Sequence, residues 1–290
     1  MIGGLAVRGN LLGVTWSAGV GHVFLYDLDA RQRVSSFATP VGPSGYSDAN
    51  GIAIDRRYRV FVADPHNGRV RVCNAFGQHV GDLGAAPPAD GGSARDRSGV
   101  LDRPHAVAVL DDRVWVTMGD QPRRRAVQCF ATDGRHVGGL ASGGDPAREF
   151  GAPRGLFADT RGIVVADTLR GRLQRFRADG TFVQEVPVAA ADALARPIAV
   201  VRLADGRFCV VDRGGDGAGL VVVGTDGVRS AAGTLAEACR DPVAVALDER
   251  RRVYVLDHDG ERVVRGLPDL AFDEVLVDLA EHDRDAPGGR

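Results

Sequence analysis

A pattern that returns at a fixed interval commits a chain to a repeat architecture, whatever chemistry it carries. Runs that read apolar-Val-Ala-Asp, or a close variant of it, end here at Trp16, Asp64, Met118, Asp167, Asp212 and Asp257, and the last three ends stand 45 residues apart. Two copies can be laid side by side: "RVFVADPHNGRVRVCNAFGQHV" at 59–80 and "GIVVADTLRGRLQRFRADGTFV" at 162–183. Each holds three short β-branched runs separated by Gly- or Asp-rich turns, which is the signature of strands rather than of helices. A preceding run such as "RGLFAD" adds a fourth strand.

One four-stranded sheet cannot cover both of its faces, but six arranged radially can. The predicted fold is therefore all-β, a six-bladed β-propeller of four-stranded antiparallel blades. The units begin near Gly3, Asn50, His105, Arg154, Ile198 and Val243. Approximate blades are 1–40, 44–84, 101–141, 150–187, 195–232 and 240–280, forming a single domain over 1–280 with a polar tail at 281–290. The longer gaps between the early units fall in linkers such as "GAAPPADGGSARDRSG". First and last units each carry four strands of their own. The ring is thus expected to close by side-chain packing between blades one and six.

Composition narrows the function. The net charge of -2 gives no general attraction to nucleic acid or to an anionic membrane. All 36 basic residues are Arg, so lysine Schiff bases, lysine general bases and a P-loop lysine are excluded. The opening residues lack a signal-like leader, and no run approaches a membrane span; a soluble, cytoplasmic chain is expected. Cys73, Cys129, Cys209 and Cys239 show no metal-site spacing and are expected to be reduced.

"PRGLFADTRGIVVADTLRGRLQRF" and "NGIAIDRRYRVFVADPHNGRVRV" resemble NHL repeats, whose unit runs Pro-x-Gly, then apolar-Val-Ala-Asp, then Asn-x-Arg. The match is strong in units two and four and weak in one and five. It implies a six-bladed propeller but no one function, because such propellers serve as enzymes, scaffolds and RNA-binding modules.

In a propeller the first strand of each blade lines the channel, and long loops gather on one rim, here the top. The residue after Pro in Pro-x-Gly points into the funnel. Round the ring this position reads Gly3, Asn50, His105, Arg154, Ile198 and Val243: polar in blades two to four, small or apolar in five, six and one. These polar groups could equally solvate an open channel. Trp16, Met118, Arg172 and Arg213 are further candidate ligand contacts at the same rim, with Arg123 in the basic loop "DQPRRRAV". Guanidinium groups there suit carboxylates and phosphates.

His66, His105 and His258 come from different blades and could hold zinc, leaving a fourth position for water. Asp64, Asp167, Asp212 and Asp257 either cap loop amides or form a carboxylate ring for calcium. Pro104-His105 is similar to the zinc-histidine context of the peptidylglycine-amidating lyases. That resemblance implies His105 as a ligand and makes Arg154 and Tyr46 the nearest catalytic counterparts, although only one of six first strands carries His. Virginiamycin-type lyases share related Pro-His stretches but have a different blade motif. Two functions stay open. One is a lyase or hydrolase acting on a small molecule or peptide in the funnel; the other is a non-catalytic scaffold for a protein partner. Nucleic acid is the least supported ligand, since aromatics make up only 6% of the chain.

Overall fold

The computed structural model describes residues 2–17, 20–41, 47–85, 98–119, 126–140, 149–188, 193–214, 217–259 and 261–279. Six four-stranded antiparallel sheets are built in chain order, each from consecutive strands. Blade one is β1–β4 (Ile2–Arg8, Leu11–Ser17, Gly21–Asp27, Gln32–Ala38) and blade two β5–β8 (Ile52–Ile54, Val60–Asp64, Arg69–Cys73, His79–Leu83). Blade three is β9–β12 (Pro104–Leu110, Arg113–Met118, Val127–Ala131, His136–Gly139) and blade four β13–β16 (Pro153–Asp159, Gly162–Asp167, Arg172–Phe176, Phe182–Glu185). Blade five is β17–β20 (Pro197–Arg202, Phe208–Gly214, Gly217–Val223, Arg229–Ala231) and blade six β21–β24 (Pro242–Leu247, Val253–Asp257, Arg262–Gly266, Phe272–Asp278). A short helix, α1 (Gly233–Glu237), follows blade five and buries Leu235. No described helix is long and apolar enough to cross a membrane.

The second strands explain why the repeat reads as continuous apolar runs. Side chains alternate between the two faces of a strand, and both faces of a blade are covered by neighbours. In β6, Val60 and Val62 pack toward blade one, while Phe61 and Ala63 pack toward blade three. Six apolar clusters result, one at each interface between neighbouring blades.

The aspartates that end second strands have a common job. Asp167 Oδ1 accepts the amides of Gly151 (2.8 Å) and Ala152 (3.0 Å), and its Oδ2 faces Arg172 Nε at 3.3 Å. Asp212 accepts Ala195 and Arg196, and Asp257 accepts Arg240 and Asp241 together with Arg262 Nε. In blade two, Asp64 turns instead to Asn67 and Arg69. Each carboxylate thus satisfies N–H donors of its own blade and pins the loop entering or leaving it. With their oxygens engaged in this way, these residues do not compose a ring of free ligands for calcium.

Among the described residues no strand is exchanged at the ring closure. Leu12, Val14 and Tyr26 of blade one pack against Tyr254, Leu256 and Val263 of blade six. Glu249 adds a carboxylate that accepts the Gly9 amide at 3.0 Å and pairs with Arg8 at 3.2 Å. The ion pair is exposed and contributes little. Blades one and six are therefore expected to exchange backbone amides faster than blades three and four. Hydrogen exchange followed by mass spectrometry reads this directly, and protection at the seam equal to that of the middle blades would contradict it.

Candidate functional site

The site begins with a local irregularity repeated around the ring. In β13, Pro153 pairs with Asp167 and Gly155 with Ala166, so Arg154 has no partner opposite it. The same register shift isolates Ile198 and Val243, and the corresponding shifts in blades one and three fall at Gly3 and Gly4 and at His105 and Ala106. An extra residue on one strand bends it and re-aims its side chain. Here that turns the position after Pro into the channel.

The bulges also tie neighbouring blades together. Thr15 Oγ1 donates to the Asn50 carbonyl, and the Gly51 amide donates to the His105 carbonyl at 2.8 Å. Thr168 Oγ1 donates to the Pro197 carbonyl at 2.7 Å. Gly51 is required by this packing, since a Cβ there would lie 2.5 Å from the His105 carbonyl oxygen and 2.6 Å from the Ala106 Cα. Gly119 plays a similar part at the rim, where a Cβ would meet Arg154 Cγ at 2.9 Å and His105 Cβ at 3.2 Å.

The five bulge positions and Asn50 of blade two line one cavity of about 340 Å³ at the top of the channel. Asn50, His105 and Arg154 form one contiguous side, with Ile198, Val243 and Gly3 opposite. The apolar side is not purely apolar at its mouth, because Arg213, Asp241 and His258 also line the cavity. Arg213 Nη2 donates to both carboxylate oxygens of Asp241, at 2.8 and 3.0 Å. His258 Nδ1 lies 3.6 Å from Asp241 and 3.7 Å from Asp259. Asp241 and Asp259 were not singled out from sequence. Asp241 stands just before the Pro that opens blade six, and that loop position is the signal that could have found it.

Several sequence candidates sit elsewhere. Met118 is fully buried in the core between blades two and three. It occupies the aspartate position of its blade, and its sulfur accepts the Asp102 amide at 3.3 Å in place of a carboxylate. Trp16 holds the same position in blade one and packs against the seam between blades one and six. Arg172 is committed to Asp167, to Glu185 at 2.8 Å and to the Glu149 carbonyl. Tyr46 and Arg123 lie outside the described residues.

The three histidines do not converge. His66 pairs with Asp48 at 3.0 Å and is absent from the funnel lining. Among the described residues, Asp241, His258 and Asp259 are the group whose donor atoms all fall within 4.8 Å of one another. Asp241 already faces the Arg213 guanidinium, a cation in the place a metal would take. The zinc set His66, His105 and His258 therefore does not fit this geometry. The cysteines offer no nucleophile: burial pushes Cys129 up to about 11 and Cys209 and Cys239 up to about 12, leaving neutral thiols.

No family model and no curated protein matches the sequence. The fold, by contrast, has many solved relatives. Over 92% of this chain and 93% of the other, it superposes on a chain from a nidogen/laminin complex with a TM-score of 0.63 at 16% identity. A streptogramin B lyase gives 0.60 at 14% identity over 95% of this chain and 83% of that one. The virginiamycin B lyase of Staphylococcus aureus gives 0.61 at 12% identity over 94% and 83%. The chain is a six-bladed β-propeller. At these identities the likeness carries the fold and nothing finer.

Proposed function

We propose that the propeller binds a small molecule or peptide in its top funnel and acts on it as a lyase or hydrolase. The observation that supports this reading is the convergence of Asn50, His105 and Arg154 on one side of a single cavity, with Ile198 and Val243 facing them. Such a two-sided pocket suits a ligand with a carboxylate or carbonyl at one end and an apolar remainder. Arg154 would hold the carboxylate or the oxyanion that develops during reaction. His105 would move the proton, and Asn50 would orient the substrate carbonyl. The NHL assignment, resting on the blade motif, and the lyases among the structural relatives are in keeping with this.

Incubation with quinupristin and with a set of N-acyl-peptide esters in H₂¹⁸O tests the proposal. Hydrolysis places one ¹⁸O in a product, whereas elimination places none. Turnover of a probe by the wild type and its loss in His105→Ala are expected. No turnover of any probe would favour the scaffold reading. The charged mouth of Arg213, Asp241 and His258 supports that second reading, as does the nidogen/laminin complex among the relatives.

A further inference from the structure

At the opposite end of the channel, β17 finishes on a residue that breaks the repeat. Arg202 pairs across to Phe208, and the residues in the same register position of blades two, three, four and six are Ile54, Val109, Ala158 and Leu247. A guanidinium has replaced an aliphatic side chain at the base of a blade interface. Only 3% of its side chain is exposed, and it lies over the Phe208 ring at 5.9 Å.

Its hydrogen bonding is one-sided. Nη1 donates to Asp159 Oδ1 at 2.9 Å, while Nε and Nη2 are buried and have no partner among the described groups. Those two N–H groups form one edge of the guanidinium, the parallel fork that grips two oxygens of a carboxylate or phosphate. Buried donors of this kind are rarely left unsatisfied.

Further guanidinium groups stand around Arg202. Arg161, Arg175 and Arg251 all lie near enough to repel Arg202, and Arg175 Nε is likewise buried without a partner. Asp159 is shared by Arg202, by Arg161 at 3.4 Å and by Arg251 at 3.7 Å. Asp159 and Arg251 also line a cavity of about 480 Å³ at the lower mouth of the channel, together with Arg8, Arg56 and the carboxylates of Asp55, Asp111, Asp248 and Glu249, whereas Arg202 and Arg175 lie behind its wall. Burying uncompensated charge is costly, and an anion removes that cost.

We propose that the base of the propeller between blades four and five binds a small oxyanion, gripped by the Nε–Nη2 edge of Arg202 and supported by Arg175 and Arg251. The site is separate from the top funnel and does not depend on its function.

Thermal unfolding of the whole chain, titrated with inorganic phosphate and separately with acetate at constant ionic strength, tests this. The expected result is a saturable rise in Tm with at least one of the two, the better ligand identifying phosphate or carboxylate as the preferred class. Arg202→Met restores the aliphatic character of the other blades and is expected to fold while losing the saturable rise. Arg175→Gln, a second variant, is expected to weaken the apparent affinity by about tenfold. A wild type whose Tm responds to neither anion, or responds without saturating and to the same degree as both variants, would overturn the proposal.

Discussion

Asp167→Ala is expected to destabilise the protein by about 3–5 kcal/mol, the range for breaking a buried, hydrogen-bonded charge pair. The substitution strands three donors at once: the amides of Gly151 and Ala152 and the Nε of Arg172. Burial pushes the Asp167 carboxyl above its ordinary range, while these same donors pull it back down. Asp167→Asn keeps an oxygen for the two amides but presents no charge to Arg172, so its loss should be roughly half as large. Urea denaturation midpoints for the two variants and the wild type read the order. A loss below about 1 kcal/mol for the alanine variant would mean the capping account is wrong.

The second large effect concerns the inner ring. Gly51→Ala places a methyl against the backbone of the neighbouring bulge, 2.5 Å from the His105 carbonyl oxygen, where no flexible side chain can yield. A cost of about 1–3 kcal/mol is expected, as for overpacking elsewhere. His105 should move with the strand that carries it, so ligand binding in the funnel should weaken along with stability. Gly81→Ala is the matched control. It sits on an outer strand with nothing within 4 Å of its added Cβ, and it should change stability by no more than about 0.5 kcal/mol. Equal stability of the two variants would contradict the tight inner ring.

These two residues also show what the sequence reveals. The aspartate at the end of the second strand recurs in blades two, four, five and six, and a small residue, Gly or Ala, follows the funnel-facing position in every blade. Their recurrence made blade number, strand order and the funnel-facing position readable without coordinates. Asn50, His105, Arg154, Ile198 and Val243 do line the cavity, and a bulge of one residue stands at that place in blades one, three, four, five and six.

What depends on pairing across blades was not readable. Arg213 meets Asp241 from a strand 28 residues away, and nothing local marks either as the other's partner. Met118 was misplaced because the repeat position says where the residue sits along the strand but not that its sulfur turns inward to accept an amide. Arg202 was hidden inside an apolar run, "ARPIAVVRL", where a long side chain reads as strand surface until its neighbour in the next blade is known. The helix α1 is five residues long, too short to impose a helical period on the sequence.

The central claim is that the top funnel is where this propeller meets its ligand. A crystallographic screen of small carboxylates, amides and short peptides tests it most directly. The account predicts bound fragments in the funnel with a carboxylate or carbonyl against Arg154 and His105 and their apolar parts toward Ile198 and Val243. Fragments that gather elsewhere on the surface, with none held in the funnel, would contradict it.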